Sequence, residues 1–207
     1  MAWRETEIGW FDDADGTTSA ELLVAVLPDK GTPAAIVRKA ATIWAHSLPT
    51  ASFVIFDHSL TRAVVETLLH QALAYTNLPP SRLLLVGLTD GATVGFSIVI
   101  GASHRACAGM VAYDAKPFPL VDLSTVARHT KLRLIGCMGQ EADEEQFAQT
   151  IRDLGRLGAD IRGTLLLEPG LTPSAIRLGA AYLGELSASA LDLPRAPAAF
   201  TTRHSSR

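Results

Sequence analysis

The sequence predicts an α/β protein, a three-layer αβα sandwich in which a mostly parallel sheet of about six core strands is covered by helices on both faces. Short apolar runs alternate with longer amphipathic segments along most of the 207 residues, and that alternation is typical of parallel sheets with crossover helices. One central run, residues 83–86, contains only large apolar residues, as expected for a strand buried on both faces. No Gly-x-Gly-x-x-Gly motif follows the first predicted strand, which disfavours a dinucleotide-binding sheet.

The N-terminal residues 1–19 are predicted to add one or two edge strands to this sheet. The acidic stretch 12–16 is interpreted as a hairpin turn, and Trp3 and Trp10 are expected to be exposed. An Asp-x-Asp-Gly sequence in this stretch is also found in calcium-binding loops, but the downstream ligands at EF-hand spacing are absent. We therefore predict a turn here and no metal site.

The core elements follow from hydrophobic periodicity. Thr32 is predicted to cap the first helix, which begins at Pro33, and Ser59 or Thr61 to cap the second. The six core strands are predicted at residues 22–27, 52–56, 83–86, 107–113, 132–137 and 161–167. The residues expected to face inward on the first two helices are Ile36, Val37, Ala40, Ala41 and Trp44, then Val64, Val65, Leu68, Leu69, Ala72 and Leu73.

The C-terminal half contains two further predicted helices, at 143–157 and 173–189, and an irregular, proline-containing segment at 114–127. The Pro-, Ala-, Ser- and Arg-rich residues 193–207 are expected to be a disordered tail. We therefore expect a single domain over residues 1–192, a length that allows a sizeable core.

Composition excludes several classes of function. The net charge of −3 gives no basic field for nucleic acid, and no apolar run approaches the length of a membrane span. The N-terminus lacks the apolar segment of a signal peptide, so a cytoplasmic location is expected. Cys107 and Cys137 fall in predicted buried strands and are interpreted as small apolar residues rather than as a disulfide or metal pair. No cofactor is predicted, and both a monomer and a homodimer remain open.

Residues 87–91, Gly-Leu-Thr-Asp-Gly, come directly after the central strand and before a helix of small residues. Glycines at both ends of this segment suit a sharp strand-to-helix turn, because the turn is cramped and the helix packs closely on the sheet. The middle residue, Thr89, is then expected to project above the sheet, with a helix N-terminus behind it.

This segment resembles the nucleophile elbow of the α/β-hydrolase superfamily, and most closely that of its small carboxylesterase/phospholipase-like branch, which includes the acyl-protein thioesterases. That branch reads like LVGFSQGA, where this chain reads LVGLTDGA, so Thr89 stands where serine is usual. The resemblance extends over roughly residues 20–190. It implies a hydrolase for small acyl-ester or thioester substrates.

The resemblance also implies a catalytic triad. Thr89 would be the nucleophile, and Asp143 or Glu141 the orienting acid after a one-residue shift from the usual pattern. The branch places a histidine after the last strand in a segment like PGxGH, whereas residues 168–173 of this chain read Glu-Pro-Gly-Leu-Thr-Pro. His58, which directly follows a predicted strand, is the histidine expected at the correct edge of the sheet to act as the base.

Oxyanion and substrate-binding groups are implied at the same edge. The amide of Asp90 and the loop at Asp29 and Lys30 would supply the donors, Lys30 could also bind an anionic substrate, and Leu88 adjoins the nucleophile. The carboxyl ends of the predicted strands bring further acidic residues to this edge. The complete set is Asp29, Lys30, Asp57, His58, Thr89, Asp90, Asp114, Glu141, Asp143 and residues 168–172.

Three functions remain open from the sequence. The first is an ester or thioester hydrolase with divergent catalytic residues. The second is a catalytically inactive member of the same superfamily that binds a small ligand or a protein. The third is an enzyme that uses the acidic edge differently, with Asp90 or Asp57 as the base. The form of the pocket around Thr89 distinguishes the first from the second.

Overall fold

A computed structural model describes residues 3–12, 20–56, 61–100, 107–114, 133–140, 160–166 and 170–192, together with the single residues 145, 148, 149 and 152. The strands of this part of the chain are β1 (Trp3–Thr6), β2 (Gly9–Asp12), β3 (Leu22–Leu27), β4 (Ala51–Ile55), β5 (Leu83–Leu88), β6 (Cys107–Tyr113), β7 (Arg133–Gln140) and β8 (Asp160–Leu166). The helices are α1 (Ala34–Ser47), α2 (Arg62–Thr76), α3 (Asp90–Ile100) and α4 (Pro173–Leu191).

All eight strands form one sheet in the order β1-β2-β4-β3-β5-β6-β7-β8. The six strands from β3 to β8 are parallel to their neighbours, whereas β1 and β2 pair antiparallel at one edge. This arrangement confirms the predicted parallel core with extra N-terminal edge strands. All six residues of β5 are buried, because β5 lies between β3 and β6 and has helices over both faces.

Helices on both faces complete the three layers. On one face, α1 and α4 cover inward-facing residues of β3 and β6, such as Val24 and Val111, and Trp44 lies at the centre of this core. On the other face, α2 and α3 cover residues such as Leu85 and Met110. Since alternate residues of each strand point to opposite faces, the continuous apolar character of β3 and β5 fills both cores.

The start of α4 is held against the sheet by two aromatic residues. Trp44 is completely buried and donates from Nε1 to the carbonyl oxygen of Ile176 at 3.0 Å. Tyr113, at the end of β6, donates from its hydroxyl to the carbonyl oxygen of Ala175 at 3.2 Å. The two rings stack with centroids 5.8 Å apart. These bonds fix the first turn of α4, and with it the loop that leads into that helix.

Several local predictions were wrong at the N-terminal hairpin. The turn between β1 and β2 lies at residues 7–8, whereas the predicted turn at 12–16 lies outside the described residues except for Asp12, the last residue of β2. Trp3 and Trp10 are only partly exposed, because the hairpin packs against α1: Trp3 donates from Nε1 to Thr42 Oγ1 at 3.0 Å, and the guanidinium of Arg38 stacks 4.5 Å above the Trp10 ring.

Helix starts and helix faces also differ from prediction. The first helix begins at Ala34 with Pro33 at its N-cap position, so Thr32 does not cap it; the backbone N–H of Thr32 donates to the Asp29 side chain at 3.1 Å. Ile36 and Val64, predicted to face inward, are 44% and 47% exposed. Both lie at the margin of their apolar stripe, where a small rotation of the helix decides between core and solvent.

Parts of the predicted architecture fall outside the described residues. These are most of the helix at 143–157, nearly all of the segment at 114–127, the side chain of Cys137 and the tail at 193–207. Among the helices that the structure describes, none is both long and apolar enough to cross a membrane.

Candidate functional site

Thr89 forms a sharp turn between β5 and α3. Its φ angle is +45°, in the left-handed region that residues with a branched Cβ rarely adopt. Its backbone N–H donates to the carbonyl oxygen of Tyr113 on β6 at 2.8 Å, and its own carbonyl oxygen accepts from the N–H of Thr93 at 3.2 Å. The neighbouring strand on one side and the first turn of α3 on the other therefore hold Thr89 in a strained conformation.

The two flanking glycines are required by close backbone approach. A Cβ atom on Gly87 would lie 2.4 Å from the Cα of Ala92, in the first turn of α3. A Cβ atom on Gly91 would lie 2.0 Å from the carbonyl oxygen of Leu27, at the end of β3. Side chains at either position would push α3 away from the sheet, so the spacing Gly-x-Thr-x-Gly is explained by the geometry of this turn.

The loop after β3 lies beside the start of α3 because Gly91 packs against Leu27 and Pro28. The carboxylate of Asp29 organises this loop, since Oδ2 accepts from the N–H of Gly31 at 3.2 Å and Oδ1 accepts from the N–H of Thr32. Lys30 is exposed. The structure thus places the predicted residues Asp29 and Lys30 at the same edge of the sheet as the turn at Thr89.

Asp90 is the first residue of α3 and is exposed. A carboxylate at this position is favourable to the helix, because the N-terminal end of a helix carries partial positive charge. The N–H groups of a first turn point out of the helix end and suit an anion. Asp90 lies beside Thr89 at this helix end, and its role as an oxyanion donor stays a prediction.

Leu88 is placed differently from the other predicted site residues. Its side chain is 3% exposed and belongs to the core that contains Val26 and Tyr113. It therefore packs beneath the turn, and its predicted contact with substrate stays a prediction.

Asp114 was assigned no role by the sequence, although its position after β6 placed it at this edge. Its φ angle is +47°, and its Oδ2 accepts a 2.7 Å hydrogen bond from the N–H of Gly170, in the loop before α4. Partial burial raises the pKa of the Asp114 carboxyl above its ordinary value; the bond from Gly170 lowers that pKa, and repulsion from Asp29 raises it further. Asp114 and Asp29 thus lie close enough to interact at the carboxyl ends of β6 and β3.

The predicted base and orienting acid lie outside the described residues. This applies to His58 and Asp57 after β4, and to Glu141 and Asp143 after β7.

Within the described ranges the histidines are His46 and His70, which are both exposed. His46 is in the last turn of α1, at the opposite edge of the sheet, and its Nδ1 lies 2.6 Å from the carbonyl oxygen of Thr42. His70 lies within α2.

Within the described part of the chain, no group of three or more His, Cys, Asp or Glu side chains is arranged to hold a metal ion. Cys107 is the free cysteine there, and burial raises its pKa to about 12, so its thiol is not activated as a nucleophile.

Comparison with known proteins bears on the fold. No protein-family model and no curated protein sequence matches the chain. A carboxylesterase from Mesorhizobium loti superposes with a TM-score of 0.70 at 12% identity, covering 88% of this chain and 99% of its own. The Bacillus cereus carboxylesterase gives 0.65 at 12% identity, covering 85% and 92%. A dienelactone hydrolase-like promiscuous phosphotriesterase from metagenomic libraries gives 0.64 at 11% identity, covering 90% and 95%.

The chain has the α/β-hydrolase fold. At these identities the likeness concerns the fold, and it confirms the architecture that the turn at residues 87–91 suggested. Within this α/β-hydrolase fold, the structure brings together Thr89, Asp90 and the loop of Asp29 and Lys30, and it brings Asp114, predicted at this edge without a role, close enough to Asp29 to interact.

Proposed function

We propose that the protein is a hydrolase of carboxylic esters or thioesters, with Thr89 Oγ1 as the nucleophile. The observation that carries the proposal is the positive φ angle of Thr89 at a strand-to-helix turn whose flanking glycines cannot be replaced. Glycine or asparagine would adopt this conformation at lower cost. A strained residue with a hydroxyl group at this point supports a chemical role for that group.

The surroundings of Thr89 suit an acyl transfer. In the proposed reaction, Thr89 Oγ1 attacks the carbonyl carbon of a small acyl ester, and the backbone N–H of Asp90 stabilises the oxyanion together with donors from the loop of Asp29 and Lys30. The named neighbours of this fold include two carboxylesterases, which supports esters as the substrate class. The reaction requires neither a metal nor an organic cofactor.

His58 and Asp143 complete the proposal as base and orienting acid. In the sequence, His58 comes after β4 and Asp143 after β7, and the carboxyl ends of parallel strands share one edge of a sheet. Their roles are tested by His58→Gln and Asp143→Asn, each of which should lower kcat/KM by about 100-fold or more if the side chain takes part in proton transfer.

The proposal is tested by hydrolysis of p-nitrophenyl esters from acetate to octanoate, with the wild type beside Thr89→Ala. Turnover that clearly exceeds the buffer rate and disappears in Thr89→Ala supports it. In parallel, a fluorophosphonate should add its phosphonyl mass to the intact wild-type protein and not to Thr89→Ala. Equal activity in the two proteins, or labelling that survives the substitution, would show that Thr89 is not the nucleophile.

A second candidate function is a binding module without catalysis. The specific observation in its favour is that the residues from 168 to 173, where the resemblance places the catalytic histidine, contain none. If neither turnover nor labelling is found, tight binding of a non-hydrolysable acyl ligand, measured by calorimetry and weakened by Thr89→Ala, would support this alternative.

A further inference from the structure

Asp114 and Thr89 occupy equivalent positions at the ends of neighbouring strands. Leu88 of β5 pairs with Tyr113 of β6, so Thr89 and Asp114 are the next residues along each strand. The backbone N–H of Thr89 donates to the Tyr113 carbonyl at 2.8 Å, and both Thr89 and Asp114 have positive φ angles. Because neighbouring strands lie about 4.8 Å apart, one water molecule can bridge side chains at these two positions.

The Asp114 carboxyl group is anchored by one of its oxygens. Oδ2 accepts from the N–H of Gly170 at 2.7 Å, across 56 residues of sequence. Within the described ranges, the bond from Gly170 is the hydrogen bond that the Asp114 side chain forms. The bond from Gly170 limits rotation of the group, and in the proposal below Oδ1 is the oxygen that takes up the proton.

The charged groups around Asp114 favour its use as a base. Among the described residues, Asp29 on the loop after β3 acts on Asp114; Lys30 on that loop and Asp90 at the start of α3 lie at the same edge of the sheet, and Tyr113 precedes Asp114 on β6. Partial burial and the negative charge of Asp29 raise the pKa of Asp114. A carboxylate of raised pKa takes up a proton more readily than an ordinary aspartate near neutral pH.

We propose that Asp114 is a further catalytic residue of this site, the general base that accepts protons during attack on the ester. This inference rests on the proposed function, ester hydrolysis at Thr89, and gives Asp114 the role of base that the resemblance assigns to His58; the variants Asp114→Asn and His58→Gln decide between the two residues. Thr89 gives its hydroxyl proton to Asp114 through the bridging water as its oxygen bonds to the acyl carbon; the ester C–O bond breaks, and the departing alcohol takes the proton. A second water then gives a proton to Asp114 and attacks the acyl carbon, and Thr89 leaves with that proton.

Two substitutions separate proton transfer from anchoring. Asp114→Asn keeps an oxygen that can accept from Gly170, and asparagine tolerates the left-handed conformation, but it cannot take up a proton. Asp114→Gly keeps the backbone conformation and removes both functions. We expect each variant to lose about 100-fold or more in kcat/KM, with the urea midpoint of Asp114→Asn no lower than that of the wild type.

The pH profile gives a readout that a purely structural role would not change. The acid limb of kcat/KM should vanish in Asp114→Asn and persist in His58→Gln. It should move to lower pH in Asp29→Asn, because the charge that repels the ionised Asp114 is gone.

Failure of this inference is distinguishable from failure of the proposed function. If Asp114→Asn keeps wild-type kcat/KM and pH profile while Thr89→Ala is inactive, Thr89 is the nucleophile and Asp114 is not the base. Loss of activity in Asp114→Gly alone would assign Asp114 only an anchoring role and overturn the inference. If the wild type shows neither turnover nor fluorophosphonate labelling, the proposed function fails and this inference fails with it.

Discussion

Gly91 at the start of α3 lies so close to Leu27 at the end of β3 that a Cβ atom would stand 2.0 Å from the Leu27 carbonyl oxygen. This contact joins the turn that presents Thr89 to the loop that contains Asp29 and Lys30. We expect oxyanion donors from the backbone of Asp90 and from the loop of Asp29 and Lys30. One close contact therefore positions both, and only glycine at position 91 permits it.

The first prediction concerns this contact. Gly91→Ala should lower the free energy of unfolding by about 3 kcal/mol or more, because a methyl group would overlap backbone atoms that cannot move independently of the sheet. Gly184→Ala is the matched control: Gly184 lies within α4, a Cβ there would meet nothing within 4 Å, and alanine should stabilise the helix by about 0.5–1 kcal/mol. Urea denaturation measures both. A Gly91→Ala protein as stable as the wild type would contradict the close approach of α3 to β3.

The second prediction concerns the strain at Thr89. Thr89→Gly should raise the free energy of unfolding by about 1 kcal/mol, since glycine adopts a positive φ angle without the cost paid by other residues. Asn77→Gly is the control, because Asn77 also has a positive φ angle, at the end of α2, and asparagine tolerates it better than threonine. If thermal or urea unfolding shows the larger gain at Asn77, the turn at Thr89 is not strained.

The third prediction concerns the methyl group of Thr89. Thr89→Ser should raise kcat/KM for short p-nitrophenyl esters by about 10-fold, which corresponds to about 1.4 kcal/mol of transition-state stabilisation. The reason is that serine keeps the hydroxyl group, while loss of the branched methyl frees rotation about χ1 and clears the approach of the ester. Initial rates at matched protein concentrations measure the change. A fall in kcat/KM would indicate that the methyl group helps to position the hydroxyl.

The fourth prediction concerns pH and stability. The pKa of Asp114 is raised in the folded protein from its ordinary value of 3.8, so the folded state binds the proton more tightly than the unfolded state. The stability that this proton provides is complete below about pH 4 and is lost as the pH rises through the raised pKa. Asp114→Asn should therefore gain in stability relative to the wild type between pH 4 and pH 7. A difference in unfolding free energy that is constant or falls over this range would contradict the raised pKa.

Much of the fold was predictable because it depends on local patterns. The strand at 107–113 was predicted with the bounds that the structure has, since a short apolar run ended by polar residues has one simple interpretation. Trp3 and Trp10 were predicted wrongly, because their burial depends on a hairpin that packs against α1. Residues that lie far apart in sequence bury these rings, so no nearby pattern indicates it.

The sequence by itself determined the α/β architecture and the place of Thr89, because the order strand, Gly-x-Thr-x-Gly, helix is a local pattern and Gly87 meets a steric demand from Ala92, five residues away. Only the tertiary structure decided which acidic residue lies beside it. Asp114 comes next to Thr89 because Leu88 of β5 pairs with Tyr113 of β6, and its carboxylate meets Gly170 because α4 is held on the sheet by Trp44 and Tyr113. Contacts that close such long loops depend on the packing of the whole domain, which no local sequence pattern encodes.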